Sequence, residues 1–165
     1  MARFFVPAEL WESGELPVAE ARHAVQVLRL SVGERLEIFD GAGRAAQAEL
    51  TDTGKNRAVL RVLREWREER PRPEIHLIVG LVKNERFDWL VQKATELGAA
   101  SIRPVAAERS VVKIAAADEE KRRAKWVHVA VEAAKQCGHV VLPEICCIVR
   151  PDEAFRAAPE GLKGI

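Results

Sequence analysis

At 165 residues with 48% hydrophobic content, the chain has material for one good core or two small ones, and no stretch approaches the roughly 18 consecutive apolar residues that cross a bilayer. A formal net charge of +1 does not advertise a nucleic-acid binder, yet 31% of the residues are charged, so a local basic patch could sit beside an acidic one and RNA is not excluded. Met1-Ala-Arg-Phe-Phe-Val-Pro7 has neither the apolar run nor the cleavage site of a signal peptide, and a cytoplasmic location is expected.

Arg3 to Val6 reads as a short strand, and Ala21, Ala24, Val25 and Leu28 recur at helical spacing within Ala19 to Leu30. Gly33 breaks the chain before Glu34 to Phe39, which alternates polar and apolar residues. Asp40-Gly41 with Gly43 signals a hairpin returning through Ala45 to Leu50, and Asp52 to Asn56 turns the chain again before Ala58 to Leu63. Short strands at such close spacing predict a small β-barrel over residues 1–70. Arg67-Glu-Glu-Arg-Pro-Arg-Pro73 is charged, proline-bearing and without apolar periodicity, as a linker is.

Over residues 74–165 the rhythm becomes strand and helix in alternation. Ile75 to Val82 is almost wholly apolar, as expected of a strand covered on both faces. A helix follows, with Asn84 as its predicted N-cap, Gly98 as its stop, and Phe87, Leu90, Val91, Ala94 and Leu97 on its apolar face. Strand Ile102 to Val105 leads into a polar loop. Asp118 is then placed to cap a long helix lined by Trp126, Val127, Ala130, Ala133, Ala134 and Cys137, which ends at Gly138. Leu142 to Val149 reads as another strand and Asp152 to Ala157 as a short helix. This order predicts a parallel α/β sheet. Gly161-Leu-Lys-Gly-Ile165 looks like the start of a further strand, so the second domain is expected to be incomplete.

Cys137, Cys146 and Cys147 are an odd number and are expected to be reduced core thiols. His23, His76, His128 and His139 show no metal-ligand spacing, and no metal is expected.

Arg3-Phe-Phe, His23-Ala-Val-Gln-Val-Leu-Arg29, Phe39-Asp-Gly41, Lys83 to Gly98, Glu108-Arg-Ser110 and Gln136-Cys-Gly138, in this order, resemble the RsmE family, the 16S ribosomal RNA uridine-N3 methyltransferases of the SPOUT superfamily. The resemblance implies a PUA-like RNA-binding barrel over residues 1–70. Residues 74–165 would be the first part of a trefoil-knotted methyltransferase domain. It also implies S-adenosylmethionine as cofactor, 16S rRNA or the small ribosomal subunit as partner, no membrane, and a homodimer in the full-length form. The family's main cofactor loops, carried by Gly-Pro-Glu-Gly-Gly and Leu-Gly-x-Arg-Ile-Leu-Arg-x-Glu-Thr-Ala, have no match here. Cofactor-binding residues are therefore expected in a missing C-terminal third, and the fragment is expected to be inactive alone.

Candidate residues follow from that frame. Arg3 and Arg29 could contact phosphates without reading bases; as alternatives, Arg29 is a solvated helix end and His23 a capping histidine. Lys83 and Arg86, at the carboxyl end of a strand, could clamp RNA, with Arg acting bidentately. Lys93 and Glu96 form an i, i+3 pair for which a surface ion pair suffices. Arg109, in a loop after a strand, could hold a phosphate or the uracil carbonyl edge; its alternative is a salt bridge with Glu108. Gln136 could read a base edge. Lys135 and His139 stand where the family usually has Glu and Arg. Methylation at N3 requires loss of the N3 proton, and Arg109 and Arg86 are the candidates for stabilising the imide anion. The alternative reading is an RNA-binding module with a non-catalytic α/β remnant.

Overall fold

The computed structural model describes residues 1–107 and 116–156, apart from the side chains of Asn84 and Ala116. The chain divides into two compact units. One comprises Met1–Arg70 together with Ala134–Leu142; the other comprises Pro71–Ala133 and Pro143–Ile165.

The first unit is built on a four-stranded sheet in the order β1 (Arg3–Phe5), β2 (Arg35–Phe39), β3 (Arg44–Gly54), β4 (Arg57–Arg67), with β1 and β2 parallel and the other pairs antiparallel. The chain leaving β1 passes through a 3-10 turn at Ala8–Ser13. It then pairs with the opposite edge, where Glu15 bridges to Val59 and Leu16 N–H donates to Ala58 O at 3.0 Å. Pairing therefore runs from β1 across the sheet and back, a barrel-like closure that leaves little free edge. The hairpin strands run longer than their apolar alternation suggests, because charged cross-strand pairs such as Arg61 with Glu49 continue the ladder.

Alternation along the strands gives the sheet two different faces. Phe4, Leu36, Ile38, Ala46, Ala48, Leu50, Ala58 and Leu60 point into one core, which Trp11, Leu16, Ala21 and Ala24 complete. On the other face, register aligns Phe5, Phe39, Ala45 and Trp66 into a single apolar rung. That rung is covered by Ala134, Val140, Val141 and Leu142. The next rung along the same face is polar: Arg3, Glu37, Gln47 and Arg64. A turn at Asp40 connects β2 to β3, its Oδ1 accepting from Ala42 N–H at 2.7 Å and Arg44 N–H at 3.0 Å. Gly43 in this turn has φ 104°, and a Cβ there would lie 2.4 Å from the Glu68 carbonyl oxygen, so glycine is required.

The predicted helix at Ala19 to Leu30 is α1 (Val18–Arg22) continued by a π-turn over His23–Val27. Leu28 N–H donates to His23 O and Leu30 N–H to Ala24 O, both at 2.9 Å. This wider turn does not show in a 3.6-residue pattern.

The second unit carries a parallel sheet in the order β5 (His76–Gly80), β6 (Ser101–Val105), β7 (Glu144–Ile145). Helix α2 (Asn84–Glu96) connects β5 to β6, helix α3 (Ala116–Cys137) precedes β7, and α4 (Pro151–Arg156) follows it. Among the described residues β5 is an edge strand, and His76 to Val79 are only half-buried, so the expectation of cover on both faces is not met. β7 is shorter than expected: Pro143 has no N–H for the ladder, and only two residues pair regularly.

Phe87, Val91 and Ala94 of α2 are buried, and the Phe87 ring lies 4.4 Å from that of Trp126 on α3. Leu97, expected in this face, is 81% exposed because it occupies the C-cap, past the last helical turn. Gly98 follows with φ 74°, as a helix stop does. Lys83, not Asn84, is the N-cap of α2. Asp118 lies inside the first turn of α3, where its charge complements the helix dipole. Only Cys146 is a core thiol; Cys137 and Cys147 are exposed, which corrects the expectation for those two. No helix is long and apolar enough to cross a membrane among the described residues.

Candidate RNA-facing sites

Arg3 sits on β1 with its side chain only 10% exposed. Its Nε donates to Glu37 Oε1 at 2.7 Å, Nη1 to Ala134 O at 2.9 Å and Nη2 to His139 O at 3.4 Å, while the guanidinium carbon lies 5.0 Å from the Phe39 ring centroid. Each of its nitrogens has an internal acceptor, so this geometry makes Arg3 a strut within the first unit. The motif that flagged Arg3 does not distinguish a cation serving RNA from one serving the backbone.

Arg29 is different. It is exposed and has φ 57°, the left-handed region where glycine usually ends a helix. For an L-residue with a Cβ this costs about 1 kcal/mol. His23 packs edge-on against Phe4, centroids 6.1 Å apart, which favours its structural reading.

Gln136 is exposed on the last turn of α3, within the first unit. Its neighbour Lys135 donates to Glu20 Oε1 at 2.8 Å and Oε2 at 3.1 Å, with both side chains largely buried. Glu20 thus accommodates the positive charge at position 135, and an acid there would face a second carboxylate.

In the second unit, register fixes which loops share an edge. Gly80 at the end of β5 pairs with Val105 at the end of β6, and Val105 also bridges to Val149. Leu81 N–H then donates to Val105 O and Ala106 N–H to Val149 O, both at 2.9 Å. The segments following β5 and β6 therefore leave the carboxyl edge of the sheet side by side, where open α/β sheets bind ligands. Lys83 and Arg86 lie on the first of these segments and are exposed. Arg109 belongs to the second and lies outside the described residues, as does Glu108. Two cations at the start of α2 oppose its dipole, with Glu85 alone in that turn to offset them.

Further along α2, Gln92 Nε2 donates to Glu96 Oε1 at 2.9 Å and Lys93 Nζ donates to Glu96 Oε2 at 2.7 Å. The Lys93 bond first, and the Gln92 bond second, hold the Glu96 carboxyl below the usual glutamate range. Glu96 thus stays an anion and fixes its two neighbours.

A cleft of about 480 Å³ lies between α2 and the start of α3, lined among the described residues by Asp88, Asp118, Lys121, Arg122, Lys125 and Trp126. Lys125 pairs with Asp88. Sequence reasoning missed this group, although Lys121-Arg-Arg-Ala-Lys125 is a visible basic run; attention to the apolar face of α3 passed over it. Nearby, Arg123 Nη1 donates to Cys147 Sγ at 3.1 Å.

Comparison with known proteins follows the same division. Residues 68–163 match the RNA methyltransferase domain family, and residues 16–63 match the RNA methyltransferase PUA domain family. The chain is 31% identical over 151 residues to ribosomal RNA small subunit methyltransferase E of Bacillus subtilis, covering 88% of this chain and 59% of that protein. It is 31% identical over 148 residues to the Mycobacterium tuberculosis protein of the same name, covering 88% and 56%. The chain therefore spans somewhat more than half the length of these curated relatives. Among solved structures, it resembles ribosomal RNA small subunit methyltransferase E from Neisseria gonorrhoeae bound to S-adenosyl methionine, with 34% identity, a TM-score of 0.86, and coverage of 97% of this chain and 67% of that one. A Legionella pneumophila protein solved with bound SAM gives 32% identity, a TM-score of 0.89, and coverage of 99% and 69%. With a PUA-like β unit followed by a parallel α/β unit, and with both of its parts matched, the chain belongs to the RsmE family of RNA methyltransferases.

Proposed function

We propose that this chain carries the RNA-holding and substrate-side parts of an S-adenosylmethionine-dependent methyltransferase that acts on N3 of a uridine in 16S rRNA. The observation that carries this reading is the shared edge after β5 and β6, with Lys83 and Arg86 exposed on the segment after β5. Arg86 and Arg109 would stabilise negative charge on the uracil carbonyl oxygens as the N3 proton leaves, and Lys83 would hold a neighbouring phosphate. Residues 1–70 would grip the RNA through Arg29, and Gln136 would read a base edge. The strut geometry of Arg3 favours a supporting role for it. Residues 74–165 would form the first part of the methyltransferase domain. Family membership supports a cytoplasmic homodimer acting on the small ribosomal subunit.

S-adenosylmethionine supplies an electrophilic methyl on a sulfonium cation. The cleft between α2 and the start of α3 does not fit it. The cleft beside α3 presents Lys121, Arg122 and Lys125, which would repel a sulfonium, and the two acids there do not outnumber them. No cofactor contact is therefore assigned to these residues, and the chain is expected not to methylate RNA by itself. Calorimetric titration with S-adenosylmethionine tests this: heat fitting a micromolar site would overturn it. The general base is likewise not assigned to any described residue.

A further inference from the structure

The first unit holds a cationic edge that neither the strut at Arg3 nor the sheet edge of the second unit uses. Arg22 ends α1, Gln26 lies in the π-turn and Arg29 follows it, and all three are exposed. The tip of the β3–β4 hairpin, Lys55 and Asn56, is tied to this helix. Arg22 Nε donates to Asn56 Oδ1 at 2.7 Å, and Gln26 Nε2 donates to the Lys55 carbonyl at 2.7 Å. An exposed hairpin tip is ordinarily a mobile place; here two side-chain bonds hold it against α1 and the π-turn.

Three features point the same way. Arg22 is exposed and held by Nε, so its two terminal nitrogens are not used in that bond and can serve as a fork of the kind that meets phosphate oxygens. Lys55 is exposed, and the bond that ties it to Gln26 uses its carbonyl and not its ammonium. Arg29 keeps a left-handed backbone that glycine adopts with less strain, at the helix end that the Leu30 N–H to Ala24 O bond closes. Strained residues and π-turns concentrate where a ligand is bound. Arg35 and Arg64 are also exposed cations, but Arg35 lies in register with Glu49, whose partner is Arg61, and Arg64 lies in the rung that holds Glu37, which makes that surface a face of mixed charge.

We propose that Arg22 and Arg29, together with the Lys55–Asn56 hairpin tip, form one clamp for the phosphate backbone of RNA. Gln26 and Asn56 act as positioning residues that fix the two halves relative to each other. The clamp rests on the RNA-binding reading above and deepens it by naming a two-sided surface. It makes no base-edge contact, so it holds RNA without selecting sequence.

The test uses the 165-residue chain and a fluorescein-labelled 30-nucleotide RNA hairpin, followed by anisotropy across a range of salt concentrations. Arg29→Gly and Lys55→Ala are each expected to weaken binding several-fold and to lower the slope of log affinity against log salt by about 0.7 to 0.9. Arg29→Gly is also expected to raise the thermal midpoint, because glycine relieves the strained φ. Stability and affinity would then move in opposite directions, which a merely structural Arg29 would not produce. Arg35→Ala, which removes the same charge elsewhere, is expected to change affinity less than twofold. Parent binding that survives Arg29→Gly and Lys55→Ala unchanged would overturn the clamp while leaving the RNA-binding reading intact, as would an equal loss in Arg35→Ala. If the parent chain shows no salt-dependent binding at all, both fail.

Discussion

The guanidinium of Arg3 donates to the carbonyl oxygen of Ala134 at 2.9 Å, across 131 positions of sequence. With its bonds to Glu37 and His139 it fastens the Ala134–Leu142 segment to β1 and β2 within the first unit. Replacing Arg3 with Ala would remove the charged donor of Glu37 and the bonds to Ala134 O and His139 O in a place with little water. We expect a loss of about 2 to 3 kcal/mol, read as a lower urea midpoint. Arg3→Lys would recover only part of this, since an ammonium cannot serve three acceptors in a planar fork.

Lys135 and Glu20 form a similarly sheltered pair, with side-chain exposures of 9% and 13%. Lys135→Glu would set two carboxylates against each other and cost about 3 to 5 kcal/mol. The exchange Glu20→Lys with Lys135→Glu should restore most of that loss. Chemical denaturation of the two single variants and the double variant gives the coupling directly, and additive losses would show that the pair does not interact.

The Glu96 network predicts a pH dependence with a definite sign. Bonds from Lys93 and Gln92 hold the folded carboxyl below the ordinary glutamate value of 4.5. Its contribution to stability is therefore complete above that value and is lost as the pH falls through the lower folded pKa. Glu96→Gln should remove this part of the acid transition. Carboxyl chemical shifts followed by NMR should place the Glu96 titration below those of unpaired glutamates.

The cysteines offer a check on burial. Cys137 and Cys147 are exposed, whereas burial shields the Cys146 thiol and raises its pKa. A thiol reagent at mildly alkaline pH should label two cysteines quickly and Cys146 only slowly. Mass spectrometry of the labelled peptides would separate the adjacent Cys146 and Cys147.

Much of this architecture is legible in the residues, because the burial pattern of short strands and the helical spacing of Phe87, Val91 and Ala94 are local signals. The hairpin at Asp40-Gly41 is legible for the same reason, since its turn chemistry requires those residues. What escaped was non-local or irregular. The π-turn after Arg22 does not follow the helical period, and Leu97 looks apolar in a helix that has already ended. The half-burial of β5 depends on which strands lie beside it, which its own apolar run cannot report. Among the site residues, Lys83 and Arg86 could be placed from the strand-to-helix transition alone. The bonds of Arg3 to Ala134 and His139 and the partner of Lys135 depend on contacts more than 100 positions away, beyond the reach of any local pattern.

We propose that the chain holds ribosomal RNA by itself, without the cofactor. The most direct measurement is an anisotropy titration of a labelled 16S rRNA fragment with this chain, run with and without saturating S-adenosylmethionine. We predict salt-dependent binding with the same affinity in both series. Absence of binding, or binding that tightens when S-adenosylmethionine is added, would overturn this proposal.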